Sequence, residues 1–559
     1  MLQASSASAD NAVAAADALL HAGRIVDAGN AYQQVLRNFP NHLPALRGFA
    51  YCADAVGNFS LAQRLAQAAL DQRPDDSATR IILAHALLCR GFATASIDAY
   101  RRALDSSRAS DAAVGLALAN YLAGRIPESL AALDAARARF PDDHVIASTF
   151  LFLLNYDPDR TPEQIFAEHQ RWGERYPVPA ITFPNTPDPD RPLRVGYVSP
   201  DLRQHPVAMF FKPLLAHHDP AQIHAFCYAS DRREDDMTAA LRACVGPNNW
   251  RSIAALSDDS AEKQIRADAI DILIDLAGHT AGERLRLFAR KPAPLQISYL
   301  GYPNTTGLRA IDYRLTDSLA DPPGLTDHLD TSALARLPAC FLCFDLPDNL
   351  PPVSPPPALT RGHITFGSFN ALPKINHLTL DLWSQLLHRV PNSRLYLKAA
   401  AFIDDPVRNQ WLAHFAHRQI PADRLDLLPM APAYTDHLQS YAAIDIALDT
   451  FPYNGTTTTC EALAMGVPVI ALRGASHRAR VGESLLAAAH CPHFLAPTTD
   501  AYLDLAATLA ADLPQLTALR SSLRPTLQSS PLTDAKTFTQ GFESTLRHLW
   551  RRWCTDTHT

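Results

Sequence analysis

Between residues 448 and 472 the chain reads LDTFPYNGTTTTCEALAMGVPVIAL, with four consecutive threonines between Gly455 and a Cys-Glu pair. The threonines stand where an apolar run, IDIALDT, gives way to a helical pattern. A helix start leaves several N–H groups unpaired and carries partial positive charge. Gly455 lets another group approach the backbone closely, and Thr456, Thr457 and Thr458 add hydroxyl donors to those amides. That combination suits a diphosphate. Threonines also serve as plain helix caps, and the run alone does not separate the two uses. Glu461, one turn further in, can accept hydrogen bonds from a ribose. Lys374 follows TFGSFNALP at a strand end and can reach the same anion. A departing diphosphate gathers negative charge, which an ammonium and a helix start stabilise without a metal. The bland alternative for Lys374 is a solvated surface lysine.

A second group of candidates stands earlier. VSPDLRQHPVAMFF carries Asp201 and His205 just past the end of one strand pattern, and DLAGHTAG carries His279 and Thr280 past another. Histidine takes a proton from a hydroxyl near neutral pH. Two histidines at strand ends of one lobe point to a functional role for His205, whereas His279 is open to a purely structural reading.

These residues need strand ends to carry them. Buried-strand patterns recur at 193–199, 224–230, 271–278, 295–301 and 313–317, and again in ITFGSFN, SRLYLKA, LDLLPM, IDIALDT and PVIAL, with helical stretches between them. Such alternation predicts parallel sheets covered by helices on both faces. Proline-rich spacers precede each series, so two doubly wound lobes with a cleft between them are expected, and ligands then bind at the carboxyl ends of the strands. The boundaries follow: a connecting helix and linker at 156–191, lobes at 192–344 and 363–535, a linker at 345–362, and a C-terminal helix at 536–559.

Residues 1–155 read differently. Gly23, Gly57, Gly91 and Gly124 are spaced by 34, 34 and 33 residues. Seven positions before each stands an alanine (Ala16, Ala50, Ala84, Ala117), and five after each a small residue (Ala28, Ala62, Ser96, Ser129). Pro40, Pro74 and Pro141 follow three of the glycines by 17, and in the third repeat Arg108 stands at that place. Small residues let paired helices approach, glycine ends the first helix and proline stops the second, as in a tetratricopeptide superhelix. Such a surface suits peptide partners; a rigid spacer is the plainer reading.

The whole chain of 559 residues is 47% apolar and 19% charged, with net charge −7. No basic surface dominates, which argues against a nucleic-acid partner. No apolar run reaches membrane-spanning length. The N-terminal residues lack the basic stretch of a secretory signal. Nine cysteines are scattered, with Cys340 and Cys343 the one close pair, read as two buried thiols rather than a metal site. A reduced, cytoplasmic protein is expected.

The stretches LRVGYVSPDLRQHP, DILIDLAGHT, KPAPLQISYLGYPNTTGL, TFGSFNALPKI and DIALDTFPYNGTTTTCEALAMGVPV resemble the catalytic region of the protein O-linked N-acetylglucosamine transferases and their plant SPINDLY relatives. The likeness runs from about residue 10 to the C-terminus, repeats included. It implies a GT-B fold and an inverting, metal-independent transfer of a sugar from a nucleotide diphosphate to Ser or Thr hydroxyls of proteins. Carried over by motif, Lys374 and Thr456–Thr458 hold the diphosphate and Glu461 the ribose. His437 packs on the base, and Met430 and Ala431 offer it backbone contacts. Thr280, His279, Pro303 and Tyr156 line the sugar and acceptor pocket beside Asp201 and His205. No cofactor is implied beyond the donor, for which UDP-N-acetylglucosamine leads. Ala371, Pro373, Thr456 and Glu461 depart from the animal enzymes. Several of these substitutions, and YPNTTGL and TTTTCE in particular, lie nearer to SPINDLY, whose plant members use GDP-fucose; that donor is the alternative. A tetratricopeptide scaffold with a decayed transferase and a nucleotide-sugar epimerase are the competing classes.

Overall fold

The computed structural model describes residues 6–347, 349–431 and 433–556. Its contacts divide the chain into two units. The first runs to Leu153 and takes in 371–373 and 399–413; the second holds the rest from Leu154.

The first unit is a ladder of antiparallel helix pairs: α1 (Ser6–His21), α2 (Ile25–Asn38), α3 (Leu43–Ala55), α4 (Phe59–Gln72), α5 (Ser77–Cys89), α6 (Ala93–Arg101), α7 (Ala109–Leu122), α8 (Ile126–Arg139) and α9 (His144–Leu154). Gly23, Gly57, Gly91 and Gly124 take φ between +76° and +87°, the left-handed conformation that ends a helix cheaply only at glycine. The alanines and small residues that recur in register are fully buried. In two repeats they touch directly, Ser96 Oγ donating to the Ala84 carbonyl at 2.8 Å and Ser129 Oγ to that of Ala117. Where Arg108 replaces proline, α6 stops after 9 residues and a run of turns follows. The sequence reading gave residues 399–413 wholly to the last lobe, but they pack with this unit. Asp404 accepts from the Thr94 amide at 2.7 Å, and Trp411 Nε1 donates to the Ala123 carbonyl at 3.3 Å.

The second unit carries two sheets. The first comprises β1 (Leu193–Ser199), β2 (Ile223–Ala229), β3 (Trp250–Ser252), β4 (Ile272–Asp275), β5 (Leu295–Ser298), β6 (Tyr313–Asp317) and β7 (Ala333–Leu337). The second comprises β8 (Thr365–Ser368), β9 (Arg394–Lys398), β10 (Leu425–Leu428), β11 (Ile446–Leu448), β12 (Val469–Leu472) and β13 (Leu495–Ala496). All pairings are parallel, in the orders β3-β2-β1-β4-β5-β6-β7 and β10-β9-β8-β11-β12-β13. The central strands are buried on both faces, which is why they read as unbroken apolar runs. β3, β7 and β13 are sheet-edge strands that the sequence reading missed; two are only two or three residues long, and β7 alternates with half-exposed positions.

The C-terminal helix Ala535–Asp556 packs back on the first lobe. Its Glu543 meets His218 at 2.8 Å, and Trp550 Nε1 donates to the Asp188 carbonyl at 2.9 Å.

Candidate active site

In each sheet the strand order reverses at one place, between β1 and β4 in the first lobe and between β8 and β11 in the second. A doubly wound sheet opens a crevice at that switch, outside the carboxyl ends of its strands. The candidate residues follow those four strands: Asp201 and His205 after β1, His279 and Thr280 after β4, Lys374 after β8, and Gly455–Thr458 after β11.

The threonine run begins a helix, Thr457–Ala464, with Thr456 as its N-cap residue. The hydroxyls divide. Thr458 Oγ1 donates to Asn370 Oδ1 at 3.1 Å, and Thr459 is buried, while Thr456 and Thr457 are half-buried with no side-chain hydrogen bond among the described residues. Gly455 is required for a reason the sequence did not reveal. A Cβ there would lie 2.6 Å from Thr458 Oγ1, 2.9 Å from Asp449 Oδ1 and 3.0 Å from Asn370 Oδ1. The close approach is thus to the protein's own side chains. Asp449 Oδ1 accepts the Gly455 amide at 2.6 Å and the Thr450 amide at 2.9 Å, closing the loop that leads into the helix.

Lys374 is half-buried and aimed at that loop. Its Nζ donates to the Asn454 carbonyl at 2.7 Å and stands 4.0 Å from the centroid of Tyr453. Burial lowers the ammonium's pKa below the usual lysine value, with Asp449 opposing, and burial raises the Asp449 carboxyl. Burial thus disfavours the charged form of both groups, and an arriving anion meets a poorly solvated cation.

Glu461 is buried beneath the same helix. Oε1 accepts from Tyr434 Oη at 2.9 Å; Oε2 meets His437 Nε2 at 2.9 Å and Tyr441 Oη at 3.3 Å. A carboxylate has about four acceptor positions, so three donors leave room for one more, such as a ribose hydroxyl. His437 is enclosed by Tyr434, Phe369 and Tyr441, and its buried Nδ1 has no partner among the described residues. Lys398 donates to the His437 carbonyl at 3.0 Å, and burial pushes its ammonium down to about 8. Met430 is largely exposed and Ala431 half-buried; Pro432 lies outside the described residues.

On the first lobe, His205 caps the helix Pro206–Ala216. Its Nδ1 accepts the Val207 amide at 3.3 Å and lies 3.6 Å from Asp201 Oδ2. Burial pushes the imidazole down to about 4, so it is neutral at pH 7, and pushes the Asp201 carboxyl up to about 6. A neutral ring that accepts at Nδ1 carries its hydrogen on Nε2, where it donates to an oxygen. Thr280 Oγ1 donates to the Ala277 carbonyl at 2.9 Å.

Two expected pocket residues sit elsewhere than at an open surface. His279 is buried edge-on against Trp172, at 4.5 Å, and bonds the Thr306 carbonyl at 2.9 Å. Burial holds it well below the usual imidazole range, as a neutral core histidine. Tyr156 is also buried, its ring 4.9 Å from that of Tyr453. Pro303 lines a small cavity with Asn304, Arg314, His477 and Arg478. Asp449, Asn370, Tyr453, Tyr434 and Lys398 escaped the sequence reading. The acid closing the strand pattern IDIALDT was the one visible signal.

Residues 178–353 and 357–542 match the model of glycosyl transferase family 41, and residues 19–86 match a tetratricopeptide repeat model. The chain belongs to glycosyl transferase family 41. The family's chain here is 41% identical over 419 residues to an Arabidopsis thaliana protein named "Probable UDP-N-acetylglucosamine--peptide N-acetylglucosaminyltransferase SPINDLY", a match covering 74% of this chain and 46% of that one. It is 31% identical over 371 residues, 65% of this chain and 37% of the relative, to the similarly named SEC of the same plant. The chain thus spans about half the length, or less, of these curated relatives. Among solved structures, a variant O-GlcNAc transferase of Thermobaculum terrenum matches with TM-score 0.87 and 35% identity, over 92% of this chain and 98% of that one. The two family 41 lobes have the GT-B architecture, after a tetratricopeptide region. Among the described residues, no helix is long and apolar enough to cross a membrane.

Proposed function

We propose that this family 41 chain is an inverting, metal-independent protein O-glycosyltransferase that moves N-acetylglucosamine from UDP-N-acetylglucosamine to Ser and Thr hydroxyls. The acceptor oxygen attacks the anomeric carbon from the face opposite the diphosphate, the bond from that carbon to the diphosphate breaks, and the hydroxyl proton passes to solvent water. Lys374 and the helix start at Thr456–Thr458 stabilise the charge on the leaving group. His205, neutral and held by its cap bond, orients an oxygen beside Asp201. Glu461 takes a ribose hydroxyl, and the cluster of His437, Met430 and Ala431 faces the base. Thr280 and Pro303 border the acceptor side. The tetratricopeptide unit recruits protein acceptors.

The observation that carries this reading is Lys374 Nζ donating at 2.7 Å to the carbonyl of Asn454, two residues before the N-cap of Thr457–Ala464. Purified chain is incubated with a peptide array and either UDP-N-acetylglucosamine or GDP-fucose, with and without chelator, and the products are weighed by mass spectrometry. The proposal expects an added N-acetylhexosamine, unaffected by chelator. A deoxyhexose instead reassigns the donor; no transfer with either leaves a scaffold. Lys374→Met should lower kcat/KM by roughly 10²–10³-fold with the fold intact, as for loss of a buried charge stabiliser. Retention of most activity refutes its role.

A further inference from the structure

We infer that Tyr453, braced by Tyr156, is a positioning residue for Lys374: its ring keeps the ammonium charged and aimed at the start of helix Thr457–Ala464. The inference rests on the reading of Lys374 as the cation of the diphosphate site.

Lys374 has no carboxylate within ion-pair distance among the described residues; what it touches is the Asn454 carbonyl and, at 4.0 Å, the face region of Tyr453. An aromatic ring presents negative charge to a cation on its face, and the attraction grows when water is excluded. The ring and one carbonyl in contact, with the more distant Asp449 carboxylate, therefore offset the lysine's desolvation before an anion arrives. The titratable group acting on the ammonium is Asp449, within the same loop, its own carboxyl raised by burial; Tyr453 meets it through its ring.

Tyr453 is itself held in place. Its carbonyl accepts from Thr450 Oγ1 at 2.7 Å, and the next amide, of Asn454, donates to the Arg478 carbonyl at 2.9 Å. The Asn454 side chain donates to the Thr450 carbonyl at 2.9 Å and accepts the Gly482 amide at 3.2 Å. With the backbone fixed, the ring's remaining freedom is about its own side-chain torsions. Tyr156 limits these, its ring lying 4.9 Å away and tilted by 37°. One short loop thus does two jobs: Asp449 sets the amide before the helix, and Tyr453 sets the lysine facing it. Tyr156, expected to line the sugar pocket, acts through Tyr453.

The test is calorimetric binding of UDP and of GDP across about pH 6 to pH 10, a range that brackets a lysine whose pKa is lowered by burial. Affinity should fall on the basic side as the ammonium loses its proton, and Lys374→Met should lack that fall. Tyr453→Leu removes the ring and should move the fall to lower pH by about one unit; Tyr453→Phe keeps the ring and should leave it in place. Tyr156→Leu, which leaves Tyr453 present, should shift it in the same direction by less and serves if Tyr453→Leu does not fold. Equal midpoints for the Leu and Phe variants, or no shift in Tyr156→Leu, overturn the inference. Binding of neither nucleotide by the wild-type chain overturns the reading of the site itself, a different result.

Discussion

Gly455→Ala isolates the architecture of the loop from its charge. The new Cβ meets three oxygens at 2.6, 2.9 and 3.0 Å, the first two closer than a methyl group tolerates and the third tight. Thr458 Oγ1 can rotate away, but then loses its bond to Asn370. Asp449 Oδ1 cannot yield without abandoning the amides of Gly455 and Thr450, both buried. Overpacking a tight site costs about 1–3 kcal/mol, and a buried donor left unpaired costs about as much again. The loop will relieve this by moving outward, carrying the N-cap of the helix with it. If a displacement of that kind sacrifices about 1.4–2.8 kcal/mol of ligand interaction, affinity for a nucleoside diphosphate falls by about 10–100-fold. The assay is titration calorimetry with UDP and GDP, with far-UV circular dichroism to verify that the lobe still folds. An alanine variant that binds within about two-fold of the wild type would show that the loop's packing does not set the helix start, and the account of Gly455 would fail.

Three further outcomes are expected. His205→Ala lowers turnover while nucleotide affinity, by calorimetry, stays near wild type; a loss of nucleotide binding instead would mean that His205 belongs to the other lobe's work. Asp201→Asn separates stability from activity. A carboxyl raised by burial to about 6 opposes folding once ionised, so its contribution worsens as pH rises from the unfolded value towards 6 and stays unfavourable above. The asparagine variant should therefore melt no lower than the wild type at pH 7, by up to about 1–3 kcal/mol in its favour, yet turn over more slowly. Lower melting together with full activity would contradict this. Glu461→Ala strands the hydroxyls of Tyr434 and Tyr441 and the ring N–H of His437, a loss of about 3–5 kcal/mol; Glu461→Gln, which keeps an acceptor, should lose less by thermal unfolding.

The central strands were visible because burial on both faces leaves an unbroken apolar run, and β1 and β6 begin and end where the pattern does. The edge strands β3, β7 and β13 were not, because a strand paired on one side needs no such run; the fourth edge strand, β10, kept a legible apolar pattern. In the helical unit the four glycines were legible since left-handed φ is a local demand that one residue type meets.

Chemistry carried by local backbone could be read in the same way. A run of hydroxyls at a helix start and a lysine after a strand are short-range patterns, and the structure sets both at the switch points of their sheets. What stood outside the sequence's reach was partnership across long stretches of chain. Asn370 meets Thr458, Tyr156 meets Tyr453, His437 meets Glu461, and His279 turns inward to Thr306; no spacing rule records any of these. The amino-acid order by itself determined the helical repeats, the central strands and where donors and charges could be offered. Only tertiary packing decided which of those groups are already spent on one another, because desolvation and hydrogen-bond satisfaction depend on neighbours in space and not on neighbours in sequence.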